Sequence, residues 1–137
     1  MEFILAILMK KILLVEDDKF LSNILKLKLE KSGFEVADAF DGDEALKKLT
    51  AFNPDLMLLD IILPKKGGFE LLAEMKEDGN LSKVPVIIIS NLGQEEDIAK
   101  GKSLGAIDYF VKSRSSIDEL VEKIKEIYQK GPAPQNL

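Results

Sequence analysis

The sequence predicts an α/β fold: one doubly wound, five-stranded parallel sheet in the order 2-1-3-4-5, with helices on both faces. Three observations predict it. Short apolar runs alternate with amphipathic stretches from Lys10 onward. Three of the runs are continuously apolar, as strands covered on both faces must be. Four of the runs end in a reactive polar side chain, and the carboxyl ends of parallel strands form the crevice where such folds bind ligands.

The apolar runs at 11–15, 34–39, 55–59, 84–89 and 106–111 are the predicted strands, and 18–32, 42–51, 67–78, 94–103 and 116–130 the predicted helices. Runs one, three and four carry no charge in their centres. Run two (Phe34-Glu35-Val36-Ala37-Asp38) and run five (Ala106-Ile107-Asp108-Tyr109) do, as sheet edges tolerate. Central strands 1, 3 and 4 with edges 2 and 5 fit the order 2-1-3-4-5, whose switch point lies between strands one and three. In the last helix Ile117, Leu120, Val121, Ile124, Ile127 and Tyr128 form one apolar stripe. Ser116 with Glu119 reads as a capping box, and Asp41 with Glu44 resembles another. Asp18 is read as a helix cap.

Composition narrows the function. A chain of 137 residues, 46% apolar, is sized for one domain with a real core. Its net charge of −5 and scattered lysines argue against direct nucleic-acid binding. Without cysteine there are no disulfides or thiolate metal sites, and without histidine the usual zinc ligand and general base are missing. No run reaches the roughly 20 apolar residues of a membrane span. Residues 1–9 form an apolar extension, read either as a misassigned start ahead of Met9 or as an added strand or docking segment. Residues 10–130 form the domain, and 131–137 a tail or severed linker.

The strand tips carry the chemistry. Glu16 and Asp17 follow Ile12-Leu13-Leu14-Val15, Asp60 follows Leu56-Met57-Leu58-Leu59, Ser90 follows Val86-Ile87-Ile88-Ile89, and Lys112 follows Tyr109-Phe110-Val111. Three carboxylates, a hydroxyl and an ammonium at one point suit a divalent cation and a phosphoryl group, with Asp60 as covalent acceptor. Carboxylates packed within about 5 Å repel by several kcal/mol, so a cation belongs among them. All-oxygen ligands favour magnesium. Taken singly, each residue has a plainer reading: a solvated acid, a turn-capping serine, a packed tyrosine.

Together, in order and at this spacing, these residues resemble the receiver domain of two-component response regulators. The resemblance covers about residues 10–130. It rests on Ile12 to Asp17, on Leu58-Leu59-Asp60-Ile61-Ile62-Leu63-Pro64 with Gly68, on Ile89-Ser90, and on Gly105-Ala106 leading to Tyr109-Phe110-Val111-Lys112. It implies a flavodoxin-like fold in which Asp60 is the phosphoacceptor for a phosphohistidine on a sensor histidine kinase or phosphotransfer protein. Magnesium is then held by Asp17 directly, Glu16 through water, Asp60, and the backbone carbonyl of Ile62. Lys112 pairs with Asp60 and then with the phosphoryl group, Ser90 donates to that group, and Tyr109 turns inward behind it. The implied output is a changed docking face for a downstream protein target in the cytoplasm. The domain catalyses only its own phosphorylation and dephosphorylation. The alternative is the receiver half of a longer regulator whose DNA-binding or enzymatic domain is missing. An aspartyl-nucleophile hydrolase fits poorly, because Ile62 stands where that class wants a second acid. A flavin module fits poorly because Glu16-Asp17-Asp18 would repel phosphate.

The chain departs from the family pattern at several places. Ser113 follows Lys112 where the family has a cis proline, so a trans bond is expected. Leu63 replaces a methionine, and Asn91 a small residue. Ile62 and Leu92 occupy the positions that tune dephosphorylation; being apolar they cannot orient a water, which predicts a long-lived phosphoryl group. Pro64 and Gly68 are read as turn and helix-start residues.

Overall fold

A computed structural model describes residues 10–129. The readings of the extension at 1–9 and the tail at 131–137 lie outside the described residues, as does the last residue of the final predicted helix. The elements run β1 (Lys11–Val15), α1 (Lys19–Lys31), β2 (Glu35–Ala39), α2 (Gly42–Phe52), β3 (Leu56–Leu59), α3 (Gly68–Glu77), a 3-10 turn (Leu81–Lys83), β4 (Val86–Ser90), α4 (Glu95–Ser103), β5 (Asp108–Val111) and α5 (Ile117–Gln129). All strand pairs are parallel and the order is β2-β1-β3-β4-β5, as the charge pattern of the edge runs predicts.

Period-two alternation divides the core into two layers. Ile12, Leu14, Leu56, Leu58, Ile87 and Ile89 face one way, against Leu25 and Leu29 of α1 and Leu120, Val121 and Ile124 of α5. Leu13, Val15, Met57, Leu59 and Ile88 face the other way, against Ala45 and Leu49 of α2 and Leu71, Leu72 and Met75 of α3. Both faces of the central strands are covered, so residues pointing either way meet apolar partners. That is why these runs contain no polar alternation.

The helix ends follow their local chemistry. Asp18 caps α1, its Oδ1 accepting from Phe20 N at 3.0 Å and Leu21 N at 3.2 Å. At α5, Glu119 N donates to Ser116 Oγ at 3.1 Å and Ser116 N donates back to Glu119 Oε1 at 3.3 Å. At α2 half of the expected box is displaced: Glu44 N donates to Asp41 Oδ1 at 2.8 Å, but the Glu44 carboxylate accepts from Phe40 N rather than Asp41 N. The 3-10 turn has no apolar period to announce it. It is nucleated by Asp78, whose Oδ1 accepts from Asn80 N and Leu81 N at 2.8 and 2.9 Å. The described backbone contains no cis peptide bond, and Lys112–Ser113 is trans as expected.

Candidate functional site

The β1–β3 register pairs Val15 with Leu59, so the residues that follow, Glu16 and Asp60, leave the sheet side by side. Asp60 N donates to Val15 O at 2.9 Å and fixes that exit. Glu16 is 1% exposed and Asp60 5%, whereas Asp17 faces solvent. One oxygen from each of Glu16, Asp17 and Asp60 lies within 4.8 Å of the other two. The strand tips thus bring together the three acids expected from the sequence.

Lys112 leaves the end of β5 through a turn in which its N–H donates to Ser90 O at 2.9 Å. Its ammonium donates to Asp60 Oδ2 at 2.9 Å and also to Glu16 Oε1 at 2.6 Å. The second contact was missed by the sequence reading, which paired Lys112 with Asp60 alone. No spacing signal could have found it, because it depends on how far the Glu16 side chain turns inward. Burial alone would lower the Lys112 pKa, but the bonds to Glu16 and Asp60 outweigh it and hold the ammonium above its ordinary value. Burial, with the Asp60 charge alongside, pushes the Glu16 carboxyl from 4.5 up to about 7 against the pull of Lys112. Three carboxylates face one ammonium, so the site retains negative charge that a cation would neutralise.

Ser90, the last residue of β4, is fully buried, and its Oγ accepts from Leu92 N at 3.2 Å. Tyr109 is half-buried, and its hydroxyl donates to Leu92 O. Burial raises the Tyr109 phenol pKa, with Ser90 pulling the other way. Ile62 N donates to Asp60 Oδ1 over a long 3.4 Å, and the Ile62 side chain stands 62% exposed at the rim. Gly68 is more than a helix start. A Cβ there would lie 2.5 Å from Asp60 O and 2.7 Å from Ile61 Cα, so α3 abuts the acid loop only because that residue has no side chain. The helix then donates from Gly68 N to Ile61 O at 2.9 Å.

The donor set fits magnesium: hard carboxylate oxygens, negative in sum, partly open to water through Asp17. The family model for the response regulator receiver domain matches residues 12–125. This chain belongs to that family. The receiver is 41% identical to the transcriptional regulatory protein CpxR of Klebsiella pneumoniae over 90% of this chain and 51% of that protein. It spans about half the length of the curated relatives it matches. Among solved structures it resembles the phosphorylated cyanobacterial phytochrome response regulator RcpA, with a TM-score of 0.79 and 35% identity over 92% of this chain and 99% of that one. The Mn(2+)-bound form of the response regulator Rcp1 is similar too, with a TM-score of 0.79 and 34% identity over 91% and 99%. The described residues of the receiver contain no helix long and apolar enough to cross a membrane.

Proposed function

We propose that this receiver is a phosphorylation-dependent switch whose acceptor is Asp60. The observation that carries the reading is the buried Asp60 carboxylate, flanked by Glu16 and Asp17 and held at 2.9 Å by the Lys112 ammonium. Asp60 Oδ2 is engaged by Lys112, while among the described residues Oδ1 accepts only the long bond from Ile62 N, leaving Oδ1 the freer oxygen to attack. In the transfer an Asp60 oxygen bonds to phosphorus, the N–P bond of a donor phosphohistidine breaks, and the histidine nitrogen keeps the electron pair and takes a proton. The donor is a sensor histidine kinase or phosphotransfer protein. Lys112 supplies a fixed positive charge to the transferring group. Asp17, Glu16, Asp60 and the Ile62 carbonyl are the residues that would hold magnesium, which when bound offsets the charge gathered on the phosphoryl oxygens.

Ser90 donates its hydroxyl proton to the bound phosphoryl group. That pulls on the loop after β4, and Tyr109 reports the change to the face formed by α4, β5 and α5. A downstream protein target reads that face. The side chains of Ile62 and Leu92 carry no polar atom to orient water, so the phosphoryl group persists for minutes or longer; decay within seconds would contradict this. Exposure to a small acyl-phosphate donor with magnesium should add one phosphoryl group, seen by intact mass. Asp60→Asn should abolish the gain, and a variant that still gains one would refute the assignment.

A second reading is favoured by the relatives: CpxR, about twice the length, is a transcriptional regulator. In that reading this receiver is one half of a longer regulator, and the length of the parent gene decides it.

A further inference from the structure

The loop from Asn91 to Gln94 joins Ser90 to α4; Gln94 is tied into the helix start by Asp97, and three contacts hold Leu92 and Gly93. Leu92 N donates to Ser90 Oγ at 3.2 Å, and the Tyr109 hydroxyl donates to Leu92 O. The third contact comes from outside the residues already assigned: Arg114 Nη2 donates to Gly93 O at 2.9 Å. Arg114 is the only arginine in the chain. The turn after β5 places it, with Arg114 N donating to Val111 O at 3.0 Å, so one short segment carries both the Lys112 ammonium and this contact. The fit is mutual. A Cβ on residue 93 would lie 2.9 Å from Val111 Cγ1 and 3.1 Å from Arg114 Nη2, so the guanidinium reaches that carbonyl because residue 93 is glycine. A planar guanidinium holds its donors in fixed directions, which suits it to a standing clamp.

We propose that Arg114 is a positioning residue for the phosphoryl site. By holding the Gly93 carbonyl it keeps the loop closed behind Ser90, with Leu92 N on the Ser90 oxygen and the Ser90 proton free for a phosphoryl oxygen. A loosened loop lets water reach the acyl phosphate. Arg114 therefore lengthens the life of the phosphoryl group without touching it. The inference rests on the reading of Asp60 as acceptor.

Two measurements on the full chain test it. Amide hydrogen exchange needs no phosphorylation: Arg114→Ala and Gly93→Ala should each speed exchange across residues 91–94, leaving the β1 amides unchanged. Decay of the phosphorylated form should quicken by roughly two- to fivefold in both variants, the size expected for one solvent-exposed hydrogen bond. Arg114→Lys, which keeps a donor but not its fixed direction, should decay at a rate between those of Arg114→Ala and wild type. Unchanged exchange at 91–94 overturns the clamp, whether or not Asp60 is ever labelled. Faster exchange with unchanged decay overturns the link to the phosphoryl group. Failure of the wild-type chain to label at all removes the Asp60 reading and that link with it, while the exchange result still decides the clamp.

Discussion

Glu16 and Lys112 decide the electrostatics of the site between them. A carboxyl whose pKa stands at about 7 holds its proton below neutrality and releases it above. Any divalent cation binding there must displace that proton, so affinity rises with pH through the neutral range. Magnesium affinity, read by titration calorimetry, should fall several-fold from about pH 8 to about pH 6, with proton release on binding. Glu16→Gln should flatten that dependence; an unaltered slope in the variant would assign the titration elsewhere. The acids themselves were legible in the sequence because each ends an apolar run, and strand ends are places the fold fixes. The ammonium bridge from Lys112 to Glu16 was not, because the side-chain torsions of both residues decide it and no spacing records them. Tyr109 is a similar case: a strand residue is placed by its run, but the direction of its hydroxyl depends on the carbonyl that Leu92 offers.

Helices and loops position these residues through contacts with little tolerance. Gly68→Ala would drive a methyl group into the backbone of Asp60 and Ile61, and neither can yield as a flexible side chain would. The expected cost is about 1–3 kcal/mol in urea denaturation, as for overpacked cores, with slower labelling of Asp60. Full stability with normal labelling would mean α3 shifts freely. At the opposite end of the sheet, Tyr128 of α5 meets Phe34 edge to face at 5.6 Å. Burial, with the Asp55 carboxylate adding to it, pushes the Tyr128 phenol from 10.0 up to about 12. Folding thus favours the protonated phenol. That contribution to stability is fully present below pH 10.0 and is lost as pH rises toward about 12. Tyr128→Phe should lose less stability than wild type across that interval, and parallel losses would contradict it. At this scale α5 was easy to read from its apolar stripe and its Ser116–Glu119 box. The 3-10 turn at Leu81–Lys83 was not, since one aspartate side chain nucleates it. The displaced box at α2 shows the same limit: the motif names the residues, but Glu44 meets the N–H of Phe40, one residue before the cap.

Across the whole molecule, strand order was readable because the charges in runs two and five mark edges and the unbroken apolar runs mark the centre. That order puts the switch point between β1 and β3, and the acids follow from it. The described surface gives no comparable mark for the output partner, because docking faces are selected by partners and carry no periodic signature. The central claim is that convergence of the strand tips makes Asp60, among all the acids of the chain, the one that takes a phosphoryl group. Borohydride reduction of the acyl-phosphate-treated chain, followed by peptide mapping, tests it most directly, since an aspartyl phosphate is reduced to homoserine. The account predicts homoserine at position 60 alone. Conversion at Asp17 or Glu16, or none in a chain that has gained a phosphoryl group, would contradict it.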